Sequence, residues 1–131
     1  MKTVLFVCVH NSGRSQMAEA FFNHLAGEKA KVISAGTEPA DSVDPTVVQV
    51  MREAGLEIGG NRPKALDFEM LGQAARVMTM GCGAEKVCPA TFVETEDWKL
   101  EDPKGKPVGK VREIRDEIKA RVTELVKRID G

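Results

Sequence analysis

The chain contains no tyrosine, one tryptophan and five phenylalanines, so aromatics make up only 5% of it. It has two histidines and three cysteines. That supply makes a four-ligand zinc site hard to assemble. An odd cysteine count leaves at least one thiol outside any set of internal disulfides. Neither sign of charge is in excess, since 19 Lys+Arg against 20 Asp+Glu gives a net charge of −1. A balance of that kind speaks against nucleic acid and against an anionic membrane surface as partners. No apolar run approaches the length of a membrane span. The first apolar segment, "TVLFVCV", is too short for a secretory leader and runs straight into polar residues. These absences lead to the expectation of a cytoplasmic protein with reduced thiols, for which no metal or cofactor is invoked.

What is present suits one domain spanning residues 1–131, with 42% hydrophobic and 30% charged residues. "TVLFVCV" is a continuous apolar run rich in β-branched residues and reads as a buried parallel strand. Residues 14–26 carry Met17, Ala20, Phe21 and Leu25 at helical spacing, and Gly27 follows as a stop. "KVISAG" (31–36) is a second strand. In 44–55, Asp44 is placed as N-cap and Pro45 at the first helical position, with Gly55 at the end. Residues 66–74 suit a short helix capped by Asp67, and 75–80 a third strand. A fourth strand is placed at 90–94, inside an irregular stretch (81–107). The last segment has Val111, Ile114, Ile118, Val122, Leu125 and Ile129 on one stripe, as an amphipathic helix packed on a sheet requires. Alternating strands and helices predict an α/β fold, a parallel sheet with helices on both faces. Sites in such sheets lie at the carboxyl ends of the strands, where Cys8 falls.

Cys8 is followed by Val9, His10, Asn11, Ser12 and Gly13, then by Arg14 at the start of a helical pattern. A loop between strand and helix can turn several backbone N–H groups inward, and the helix dipole adds partial positive charge. Gly13 permits a tight turn. The planar fork of Arg14 can grip two oxygens of a tetrahedral anion. Both groups would favour a Cys8 thiolate over the thiol. The segment therefore predicts an oxyanion cradle, residues 9–14, with a nucleophile beneath it. The alternative is a small apolar cysteine finishing a strand, with Arg14 in solvent. Ser15 is a candidate donor to the thiolate, a role compatible with capping the helix start. A leaving oxygen needs an acid, and Asp102, held ahead of Pro103, is the candidate. Its plain alternative is a turn aspartate.

"MGCGAEKVCPA" places Cys82 just after the third strand and Cys88 six residues on. Flanking glycines and Pro89 argue for a loop, although two inert core thiols would also fit. Three thiols, one at an oxyanion site, suggest a relay in which Cys82 attacks the Cys8 adduct and Cys88 then resolves the disulfide. An external dithiol protein would reset the pair.

"CVHNSGRSQMAEA", "ISAGTEPA", "TMGC…CP" and "WKLEDPKGK", in this order along nearly the whole chain, resemble the arsenate reductases of the low-molecular-weight tyrosine phosphatase superfamily. The resemblance implies a four-stranded parallel sheet in the order 2-1-3-4. It makes Cys8 the nucleophile, Arg14 the oxyanion clamp, Ser15 the support of the thiolate and Asp102 the general acid. Cys82 and Cys88 become the redox pair recharged by thioredoxin. Relatives that bind a potassium ion use groups matching Asn11, Glu19 and Ser34, with a further carboxylate near Lys64. A lysine there would replace the cation's charge. The alternative within the superfamily is a tyrosine phosphatase hydrolysing phosphomonoesters through a Cys8 phosphoenzyme. The absence of aromatics after Asp102 and the second and third cysteines count against it, while residual phosphatase activity is compatible with the shared cradle. A non-catalytic anion-binding or redox-sensing module would need neither acid nor nucleophile.

Overall fold

A computed structural model describes residues 2–80, 94–98 and 100–130. The element order is β1 (Lys2–Cys8), α1 (Arg14–Ala26), a 3-10 turn (Gly27–Lys29), β2 (Ala30–Gly36), α2 (Pro45–Glu53), α3 (Phe68–Gln73), β3 (Arg76–Thr79), β4 (Glu94–Asp97) and α4 (Val108–Asp130). The four strands form one sheet in the order β2-β1-β3-β4. All three pairings are parallel. This is the expected α/β architecture and strand order.

Side chains alternate across a strand, so the central strand β1 supplies both faces at once. Val4, Phe6 and Cys8 face a large core built with α1, α2 and α4. Leu5 and Val7 face a smaller cluster with Ala35, Ala74 and Val77, covered by Leu66, Met70 and Leu71 around α3. Val4 to Val7 are all fully buried, which is why β1 reads as an unbroken apolar run. Phe6 meets Phe22 edge-on at 6.0 Å and Trp98 at 5.7 Å. Trp98, Met78 and Met80 are core residues and His24 is exposed.

The local signals act as their chemistry dictates. Asp44 accepts from the Thr46 N–H at 2.9 Å and Pro45 opens α2. Asp67 accepts from the Met70 N–H at 2.8 Å and starts α3. Gly27 ends α1 at a φ of +59°, the left-handed region glycine occupies without strain. Along α1, Met17, Ala18, Phe21, Phe22 and Ala26 are buried, whereas Leu25, in the last turn, is 37% exposed. The fourth strand differs from expectation. It runs over 94–97, beyond the apolar "ATFV" at 90–93, which lies outside the described residues. β4 is an edge strand, and acidic residues at an edge discourage further pairing, so polarity there carries no strand signal. Val111, Ile114, Ile118, Val122 and Leu125 of α4 are buried in the large core, with Ile129 packed against it.

Candidate active site

Cys8 closes β1, and residues 9–13 lead into α1. The segment after β2 holds this loop from outside. Thr37 N–H donates to the Cys8 carbonyl (3.1 Å), Glu38 N–H to Val9 (2.8 Å), Ala40 N–H to His10 (2.9 Å) and Asp44 N–H to Ser12 (2.9 Å). A trans peptide points its C=O and N–H in opposite directions. Fixing these four carbonyls outward therefore turns the N–H groups of Val9, His10, Asn11 and Gly13 toward the inside. Asn11 shows the result, its N–H donating to Cys8 Sγ at 3.2 Å. Gly36 permits the lacing, because a Cβ there would stand 2.5 Å from the Val9 carbonyl oxygen and 2.9 Å from the Asn11 nitrogen.

Asn11 has a φ of +51°, the one non-glycine residue at positive φ among the described residues. Asparagine tolerates that region better than most. The left-handed turn belongs to Asn11, not to Gly13, whose φ is −143°. What the missing side chain of Gly13 permits is contact, since a Cβ there would lie 2.9 Å from Pro103 Cγ. The loop that carries Asp102 thus rests directly on the cradle. Gly13 caps α1 without a side-chain hydrogen bond, leaving the first-turn amides and the positive end of the helix dipole toward the loop.

Cys8 is 2% exposed, and Ser15 and Asn11 are fully buried. Cys8 Sγ lies 2.8 Å from Ser15 Oγ. The direction of that bond follows from its neighbours. Lys64 N–H can only donate, and it reaches Asn11 Oδ1 at 2.8 Å. Gln16 Nε2 donates to the same oxygen at 3.1 Å. The Asn11 amide nitrogen is therefore the atom that donates to Ser15 Oγ, at 2.6 Å. Ser15 spends an acceptor position on Asn11 and has its own hydrogen left for sulfur. Two donors then face Sγ, an arrangement that stabilises negative charge on it.

Arg14 is 4% exposed, which excludes the solvated arginine of the alternative reading. Its Nη1 donates to the Leu100 carbonyl at 3.2 Å, and its Nη2 lies 3.8 Å from Asp102 Oδ2. Asp102 is about half exposed, and its Oδ1 accepts from the Lys104 N–H at 3.0 Å. Glu101 pairs with Lys106 and Lys110, each at 3.4 Å, and so ties this loop to the start of α4. His10 Nδ1 donates to the Glu38 carbonyl at 3.1 Å, because a carbonyl can only accept.

The structure thus gathers Cys8, Val9, His10, Asn11, Ser12, Gly13, Arg14, Ser15 and Asp102 at the carboxyl end of the sheet. Cys82 and Cys88 lie outside the described residues. Asn11, Glu19 and Ser34 do converge, but around Lys64. Ser34 Oγ donates to Glu19 Oε1 at 2.8 Å, and Lys64 Nζ stands 3.9 Å from the same oxygen. Among the described residues no group of three or more His, Cys, Asp and Glu could hold a metal ion. None of their helices is long and apolar enough to cross a membrane. Sequence reasoning missed Gln16, buried behind Asn11 with its Oε1 accepting from Asn61 Nδ2 at 3.2 Å. Its signal was a polar residue on the inward side of α1, between Ser15 and Met17. It also missed Gly36 as the loop's support and the Pro103 contact on Gly13.

The sequence profile of a family described as low molecular weight phosphotyrosine protein phosphatase matches residues 3–131. An arsenate reductase from Brevibacillus brevis is 38% identical over 126 residues, covering 95% of this chain and 93% of that protein. A thioredoxin-dependent arsenate reductase from Corynebacterium glutamicum superposes with a TM-score of 0.86 at 40% identity, over 99% of this chain. This chain spans 62% of that longer one. A solved arsenate reductase in its phosphate-binding state gives a TM-score of 0.87 at 36% identity, over 98% of this chain and 99% of that one.

Proposed function

The chain belongs to the low molecular weight phosphotyrosine protein phosphatase family, and on that premise we propose that it reduces arsenate to arsenite through its three cysteines, in the reducing cytoplasm. The observation that carries the reading is the enclosed Cys8 Sγ, met by the Asn11 N–H and Ser15 Oγ under a loop of inward amides. Relatives of similar length that are named arsenate reductases support it.

Arsenate occupies the cradle of residues 9–14, with the Arg14 guanidinium on two of its oxygens. Cys8 Sγ attacks arsenic, an As–O bond breaks, and Asp102 gives its proton to the departing oxygen, which leaves as water. Cys82 thiolate then attacks Cys8 Sγ. The electron pair of the S–As bond stays with arsenic, which departs as arsenite, reduced by two electrons. The Cys8–Cys82 disulfide that results is attacked by Cys88 at Cys82, which frees Cys8 as thiolate. Thioredoxin reopens Cys82–Cys88 by dithiol exchange. The loop composition of "MGCGAEKVCPA" and the thioredoxin dependence of the Corynebacterium relative support this half.

A second reading, hydrolysis of a Cys8 phosphoenzyme by water, uses the same nucleophile, clamp and acid. Asp102 sits half exposed beside Arg14, where it could serve a phosphate ester equally well. The test runs both chemistries side by side: arsenate-dependent NADPH oxidation through thioredoxin and its reductase, and hydrolysis of para-nitrophenyl phosphate. The proposal expects the first to dominate and Cys8→Ser to abolish both. Rapid ester hydrolysis without arsenate turnover would overturn it in favour of the second reading.

A further inference from the structure

Lys64 touches the site twice. Its backbone is held at both ends, the carbonyl accepting from the Gly36 N–H at 2.8 Å and the N–H donating to Asn11 Oδ1 at 2.8 Å. Its ammonium lies 3.9 Å from Glu19 Oε1, the oxygen that also accepts from Ser34 Oγ at 2.8 Å. Glu19 is mostly buried, with 18% of its side chain exposed, and Lys64 is 41% exposed. A carboxylate so enclosed needs a countercharge. The resemblance places a potassium ion among these groups in some relatives. The residues here do not fit one, because the Glu19 oxygen is already shared by a hydroxyl and an ammonium, and the ammonium repels a second cation.

We propose that Lys64 is a positioning residue that supplies this charge from within the chain. Its ammonium neutralises Glu19 behind the cradle, and its backbone N–H holds Asn11 Oδ1, hence the donors from Asn11 to Ser15 and from Ser15 to Cys8. Potassium is then not required. The inference rests on residues 8–15 being an oxyanion loop and does not depend on arsenate being the substrate.

The test uses the full chain with Cys82→Ser and Cys88→Ser, which leaves Cys8 as its only thiol. The readouts are the rate of Cys8 alkylation by iodoacetamide at neutral pH and its protection by inorganic phosphate. Lys64→Met should slow alkylation and weaken phosphate protection, each by about threefold, the size a partly exposed ion pair carries. Lys64→Arg should retain both. Adding Glu19→Gln to Lys64→Met should restore both, because no charge is then left unbalanced, an outcome that lost packing alone would not give. With Lys64 in place, exchanging potassium chloride for tetramethylammonium chloride should change nothing. Lys64→Met matching its parent, the double variant failing to recover, or potassium accelerating the Lys64 protein would each overturn the proposal. An arsenate assay that failed while these results held would count against the substrate alone.

Discussion

Asn11 commits its backbone N–H and both ends of its side-chain amide to the cradle. Its N–H goes to Cys8 Sγ, its amide nitrogen to Ser15, and its amide oxygen to Lys64 and Gln16. Ser15 relays that order to sulfur. A hydrogen bond to a charged group is worth about 1.5–3 kcal/mol, so Ser15→Ala should slow Cys8 alkylation and arsenate turnover by roughly ten- to a hundredfold. The folded state should survive, as thermal denaturation would check. Gly36→Ala tests the lacing differently. Its Cβ meets backbone, which has no side-chain freedom with which to move aside. Phosphate protection of Cys8 should fall sharply while the circular dichroism spectrum stays that of the wild type. At this scale the local partners were legible: Cys8, Arg14 and Ser15 sit within one loop and helix start. Gln16 and Gly36 were not read as parts of this network, and Lys64 was placed beside Asn11 by resemblance alone, because these partners arrive from up to 53 residues away in the sequence.

Elements announced themselves where one strong local device set them. Asp44–Pro45 and Asp67 fixed helix starts, Gly27 fixed an end, and the unbroken run of β1 marked a strand buried on both faces. β4 escaped because an edge strand is chosen by its pairing with Arg76–Thr79, not by its own polarity. The longest helix, α4, is fastened by core burial. Leu125 is fully buried, and Leu125→Ala should cost about 2–5 kcal/mol in a urea titration. Glu53 joins α2 to α4 through Arg112 at 2.8 Å and Arg115 at 3.1 Å. The hydrogen bond from Arg112 foremost, then Arg115, holds the Glu53 carboxyl below its ordinary value of 4.5. A lowered folded value stabilises the protein above the unfolded carboxylate's pKa, and that contribution disappears as pH falls through the folded one. Glu53→Gln should therefore lower the Tm at neutral pH, with the gap to wild type closing as the pH falls below the unfolded carboxylate's value and through the lower folded one.

Over the whole molecule, the α/β class was readable from alternating periodicities, while the strand order came from resemblance, because no local pattern states which parallel strands are neighbours. Topology then does the chemical work. β1 lies beside β2 and β3, so the chain leaving β2 laces the Cys8 loop from one side. The loop after β4 brings Asp102 and Pro103 over it. The segment leaving β3 carries Cys82 and Cys88, outside the described residues, and the step proposed for them is the one that separates reduction from hydrolysis. The most direct measurement compares wild type and Cys82→Ser in arsenate-dependent NADPH oxidation coupled through thioredoxin, with phosphate binding measured on both. Cys82→Ser should bind phosphate as the wild type does and show no multiple-turnover reduction. Turnover of arsenate by Cys82→Ser at the wild-type rate would contradict the proposed step.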